Sequence, residues 1–124
     1  MIKLAFCLRR LPHLSVEEFQ RTWREDHAPL VRQNQKALGI LRYVQLHTDH
    51  GALTEGLTAS RGCEQAYDGI AELWYESREA VATLHESPEA RAAGKALYED
   101  ECRFIDLANS AIWVGEEHEV IASG

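Results

Sequence analysis

Tyr67-Asp68-Gly69-Ile70-Ala71-Glu72-Leu73-Trp74-Tyr75 is the stretch on which the fold turns. Ile70 and Trp74 flank Glu72 on one set of alternate positions, and Ala71, Leu73 and Tyr75 occupy the other. Side chains along a strand point alternately to opposite faces, so this strand is apolar on both. Such a strand must be covered on both sides.

Three further strands follow from the same period of two. Ile2, Leu4, Phe6 and Leu8 alternate against Lys3 and Arg9. Between Ile40 and His47, Leu41, Tyr43, Gln45 and His47 share one face, and Arg42, Val44 and Leu46 share the other. From Ser110 to Val114, Ile112 and Val114 alternate against Ala111 and Trp113, ahead of a charged tail from Glu116. Leu14-Ser15-Val16-Glu17-Glu18-Phe19 predicts a helix start, with Ser15 and Glu18 as a capping box and Leu14 and Phe19 as a hydrophobic staple. That helix runs toward Gly39 with a kink near His27, because Pro29 lacks the N–H an inner helical position needs. Ser77 caps a short helix through Leu84, and Ser87-Pro88-Glu89 starts another whose apolar positions are Ala93, Leu97, Phe104 and Ala108. Residues 48–66, rich in Gly, Thr, Ser and charge, read as a long lid or binding loop.

The order βαββαβ predicts an α+β, ferredoxin-like domain over residues 1–124, a four-stranded antiparallel sheet with its helices on one face. The other face is then left bare with one side of the Tyr67–Tyr75 strand on it, and monomers rarely tolerate such a patch. A homodimer pairing the two sheets face to face is expected.

The net charge of −7, with 20 acidic residues against 13 basic ones, repels phosphate backbones and anionic lipid. No nucleic acid or membrane partner is expected, and no apolar run reaches the ~20 residues of a membrane span. Cys7, Cys63 and Cys102 lack disulfide or zinc spacing and read as reduced thiols of a cytoplasmic protein.

The first helix places Phe19, Trp23, His27 and Leu30 on one inward face, so His27 stands beside aromatics as a candidate acid or base near neutral pH. Asp26, Asp68 or Glu72 are carboxylates that would raise its pKa, against burial, which lowers it. Glu72 is a second candidate if its strand face meets the helices, where aromatic neighbours would make it a general acid; facing water it is a solvated charge. Tyr43 and His47, together on one strand face, are candidate hydrogen-bond donors to a carbonyl or phenol oxygen. Phe19, Trp23, Trp74, Tyr67 and Asp68 complete the expected substrate-binding set. His47, Asp49 and His50 have the spacing of metal ligands but lie at a strand end, and no metal is expected. No phosphate-cradling glycine loop, nucleophile elbow or basic aromatic array is present.

The opening Ile2–Arg10, Leu14–Phe19, the block Trp23-Arg24-Glu25-Asp26-His27-Ala28-Pro29-Leu30-Val31, Tyr43-Val44-Gln45, Tyr67–Trp74 and Glu116-Glu117-His118 together resemble the EthD-like family. The resemblance implies a dimeric α+β barrel, in which two ferredoxin-like sheets face each other. Polyketide cyclases, anthrone monooxygenases, muconolactone isomerase and aromatic polyketide decarboxylases or dehydratases share that superfamily, and much of their chemistry uses no metal or organic cofactor. It implies an enzyme of the lyase, isomerase or cyclase kind, moving protons on an aromatic or polyketide-like hydrophobic substrate without a cofactor. The alternatives are an oxidoreductase of monooxygenase type, or a non-catalytic dimer supporting a cytochrome P-450 degradation pathway.

Overall fold

The computed structural model describes all of residues 1–124. Its four strands are β1 (Ile2–Leu8), β2 (Arg42–His47), β3 (Gly69–Tyr75) and β4 (Ala111–Gly115). They form one antiparallel sheet in the order β2-β3-β1-β4, the ferredoxin-like topology the element order predicts. β3 is therefore an inner strand, bonded to β2 on one edge and β1 on the other.

In register, Leu4 pairs with Leu73 and Val114, and Leu73 with Tyr43, while Phe6 pairs with Ala71 and Ile112. These residues share the face that the helices cover. The opposite face carries Lys3, Glu72, Trp74, Arg42, Val44, Leu46 and Trp113. It is less apolar than the strand pattern implies, because Trp74 lies between the cations of Lys3 and Arg42, 4.6 and 4.5 Å from the ring centre. The tail adds to this: Glu117 accepts from the Trp74 indole and pairs with Lys3. Leu46 and Trp113 nonetheless remain more than half exposed.

Helix α1 (Val16–Arg21) starts at Ser15, and both halves of the expected capping box form. The kink expected near His27 takes the form of a π-helical turn over Thr22–His27, which ends with the Ala28 N–H donating to the Trp23 carbonyl five residues back. Widening the turn lets the chain enter α2 (Ala28–Gln33) with Pro29 in its first turn, where a missing N–H costs nothing. A last turn, α3 (Gln35–Leu38), closes on Gly39 at φ +67°, a conformation that glycine adopts freely.

Residues 48–66 do not form the expected open loop: Ala52–Arg61 is a helix, α4, closed by Gly62 at φ +63°. Gly56 in mid-helix and the Thr/Ser content hid the Leu53–Leu57 spacing of four that marks one helical face. After β3 come α5 (Arg78–Ala82) and the long α6 (Pro88–Glu101). The helical spacing extended through Phe104 and Ala108, but the helix stops at Glu101 and Phe104 is buried from the turn beyond it.

Two apolar clusters hold the helices on the sheet. One joins Ile2, Val31, Leu38, Tyr75, Ala93 and Leu97; the other joins Leu8, Phe19, Trp23, Ala71, Phe104 and Ile105. Tyr43 and Leu73 pack against both, and the space between the clusters becomes the site.

Candidate active site

The π-helical turn aims Trp23 and His27 inward, with 1% and 4% of their surface exposed. The distal edge of the Trp23 indole lies against β3 at Gly69, where a Cβ would come within 2.8 Å of both the indole and the Leu46 carbonyl oxygen. Only glycine permits this approach. His47, the cross-strand partner of Gly69, lies beside it on the same sheet face with its ring 4.4 Å from the indole, and the indole Nε1–H donates to the Tyr43 hydroxyl at 3.2 Å.

His27 meets the C-terminal end of α6. Its Nδ1 is 2.7 Å from Asp100 Oδ2, and its Nε2 is 3.9 Å from Glu101 Oε2. Burial lowers the His27 pKa from its ordinary value, and the hydrogen bond it donates to Asp100 opposes this without overcoming it. Burial pushes the Asp100 pKa up, but hydrogen bonds from His27 and from Arg103, at 2.6 and 2.8 Å, together hold it below the ordinary value. A neutral ring beside a carboxylate must donate from Nδ1, which leaves Nε2 as a free base. Glu101 behaves in the opposite way: burial and then the neighbouring charge of Asp100 raise its pKa to about 7.

His27 and Glu101 both line a cavity of about 200 Å³ between helices and sheet. Its wall is otherwise mostly apolar, with Leu4, Phe6, Val31, Leu73, Leu97 and Ile105 prominent. Tyr43 also lines it, and the Tyr43 hydroxyl accepts from Trp23 Nε1 and from Gln45 Nε2, the latter at 3.0 Å. With both lone pairs engaged, the phenolic proton has no acceptor in the chain and can be given to an occupant. Burial raises the Tyr43 pKa, so the phenol stays protonated.

The structure thus brings His27, Tyr43 and Trp23 together at one cavity. His47 stands behind it: its Nε2 donates to Gln45 Oε1 at 2.7 Å, and Gln45 in turn holds Tyr43. Phe19 packs in the core against Trp23 and Phe104 and does not line the cavity. Glu72 and Trp74 lie across the sheet from His27, and Glu72 pairs with Lys3 at 3.0 Å, so the condition for Glu72 as a general acid is not met. Asp68, 5% exposed, accepts from the Arg10 backbone and guanidinium, each at 2.9 Å, and Tyr67 stacks under Arg9. Neither residue reaches the cavity. His50 lies 3.2 Å from Asp68 and His47 turns toward Gln45, so the two histidines do not converge.

Asp100 and Glu101 were not among the expected site residues. Their signal lay in the helical spacing itself: Ala93 and Leu97 recur every four residues, and the next position is Glu101. An acid in line with the buried positions of an apolar helical face is out of place in a core unless it is paired.

Residues 11–108 match the EthD domain family. No curated protein matches the sequence. Among solved structures, an ethyl tert-butyl ether d (EthD) family protein from Bacillus halodurans is 22% identical, with 95% of this chain and 99% of that one covered and a TM-score of 0.62. A dimeric protein of unknown function and ferredoxin-like fold from Bacteroides fragilis is 14% identical, covering 94% and 95%, with a TM-score of 0.57. SnoaB, a cofactor-independent oxygenase from Streptomyces nogalater, is 13% identical, covering 98% and 97%, with a TM-score of 0.50. The family match spans the helical layer with strands β2 and β3, and the chain belongs to the EthD domain family.

Proposed function

We propose that the protein is an enzyme that moves protons on a small aromatic or polyketide-like molecule without an organic cofactor. The observation that carries this reading is the paired arrangement in the apolar cavity: a free Nε2 on His27, oriented from behind by Asp100, 3.9 Å from a Glu101 carboxyl. His27 takes a proton from a carbon beside a carbonyl, or from a phenol. Glu101 in its protonated form, or the Tyr43 hydroxyl, gives a hydrogen bond or a proton to the oxygen where charge develops. Cyclisation, dehydration and isomerisation begin this way; in a decarboxylation the same donor stabilises the enolate left as CO2 departs, and that carbon is then protonated. A volume of about 200 Å³ suits one or two rings and is small beside the ~300–1,000 Å³ of typical ligand pockets, which supports chemistry by side chains rather than by a bound flavin or haem.

The reading is tested with purified protein and a panel of enolisable aromatic ketones and polyketide-like phenols. Replacing His27 with Gln should lower turnover by roughly 10²- to 10⁴-fold, the usual worth of a positioned base. Unchanged turnover would remove His27 from the mechanism.

A second reading shares the first step. A phenolate or enolate formed by His27 can react with dioxygen, and the likeness to a fold neighbour described as a cofactor-independent oxygenase favours testing it. Stoichiometric oxygen uptake distinguishes this route from simple proton transfer. If ligand binding occurs with no turnover by either route, the protein is an accessory binder serving a neighbouring oxygenase.

The working form is proposed to be a homodimer joined through the open sheet face. Leu46 and Trp113 are 54% and 55% exposed there, Leu53 and Leu57 project unburied from α4, and a fold neighbour is described as dimeric. Three unpaired cysteines, two of them exposed, fit the reducing cytoplasm.

A further inference from the structure

Gly94 sits in the middle of α6, where an interior glycine is less favourable than alanine. None of the usual structural reasons for a glycine holds at this position. Its φ is not positive, and a Cβ built on it meets no atom within 4 Å, so no neighbouring backbone requires close approach. Yet Gly94 lines the same cavity as His27 and Glu101. What the missing side chain provides is room.

The extent of that room follows from helix geometry. Gly94, Leu97 and Glu101 recur at spacings of three and four along one face of α6, and Glu101 lies about 10 Å from Gly94 at 1.5 Å per residue. On the sheet side, Ala71, Leu73 and Tyr75 line the cavity over about 13 Å of β3. The two walls describe a slot with His27 and Glu101 at one end and Val31, Leu38, Leu97 and Tyr75 toward the other.

We propose that Gly94 is the specificity-determining position of the site, and that the slot takes a flat, two-ring aromatic whose oxygen lies at His27 and Glu101 and whose distal ring lies against Gly94. The orientation rests on the acid–base reading above; the length of the slot does not. A one-ring compound fills only the polar end. Any side chain at position 94 occupies the place of the second ring.

The test uses 2-naphthol and phenol as probes, with binding followed by NMR titration of the full-length protein. Gly94→Leu should weaken 2-naphthol at least about tenfold while phenol changes by less than about threefold, and its melting temperature should not fall, since Leu favours the helix and the site has space. Gly94→Ala should raise the melting temperature and weaken 2-naphthol by a smaller factor, which keeps the test valid if the Leu variant folds poorly. Equal binding of 2-naphthol by wild type and both variants, equal loss of both probes in a folded variant, or no binding of either probe to wild type would each overturn the proposal. His27→Gln separates the two readings. If it retains turnover, the acid–base assignment fails while the Gly94 result stands.

Discussion

His27 Nδ1 lies 2.7 Å from Asp100 Oδ2, joining residues 73 positions apart in sequence. The contact fixes the ring, selects the tautomer with its proton on Nδ1 and leaves Nε2 free beside Glu101. Histidines that must act as bases or ligands commonly have their second nitrogen tied in this way.

Asp100→Asn removes the charge that selects this tautomer and offers an amide whose N–H₂ competes for Nδ1. Turnover should fall roughly 10²-fold with the fold retained. The ¹⁵N shifts of the His27 ring report the tautomer directly, and a ring still protonated on Nδ1 in the variant would show that Asp100 does not set it.

Glu101 should make stability depend on pH. Its folded pKa of about 7 lies above the ordinary glutamate value of about 4.3, so its contribution is full below that value and is lost as pH rises through 7. The loss is at most about 4 kcal/mol. His27 works on the acid side with the opposite sign: its lowered pKa favours the fold above about 6.5, and this is lost as pH falls through the lower folded value. Asp100 and Tyr43, which face Glu101 electrostatically, remain respectively charged and neutral across this range. Melting curves between pH 5 and 8 for wild type and Glu101→Gln isolate the effect. Their difference should shift steadily in favour of the variant as pH rises, and a constant difference would contradict the buried, protonated Glu101.

Gly69→Ala forces a Cβ against the Trp23 indole and the Leu46 carbonyl. The indole has little room to yield, since it is 1% exposed and packs against Phe19 at 5.7 Å. Destabilisation of about 1–3 kcal/mol is expected, as for overpacking elsewhere. Chemical denaturation measures it, and Trp23→Phe in the same chain should recover part of the loss; a variant as stable as wild type would mean that the indole does not lie on this strand.

Trp113→Glu combined with Leu46→Glu places like charges on the open sheet face without touching the cavity. The pair should convert a dimer of about twice the 14.0 kDa chain mass into a monomer, read by light scattering after size exclusion. A wild-type protein already monomeric at micromolar concentration would rule out this face as the interface.

The sequence by itself determined the sheet, the capped first helix and the inward direction of His27, because each rests on a short-range rule. Alternation fixes strand faces, Ser15 and Glu18 satisfy each other three residues apart, and helical spacing carries Phe19 to Trp23 to His27. Local rules could not decide which face of β3 the helices cover, and so left Glu72 as a candidate. Register and layer packing turned it to Lys3 on the other side. They could not show that Asp68 is held by Arg10, that Pro29 is absorbed by a π-helical turn, or that residues 52–61 form a helix despite Gly56. Above all, only the packing of α6 against the π-helical turn placed Asp100 and Glu101 at the two nitrogens of His27. Acids at the end of an amphipathic helix look like solvated charge along the chain; burial by a segment far away in sequence gives one of them a histidine to orient and the other a proton to hold.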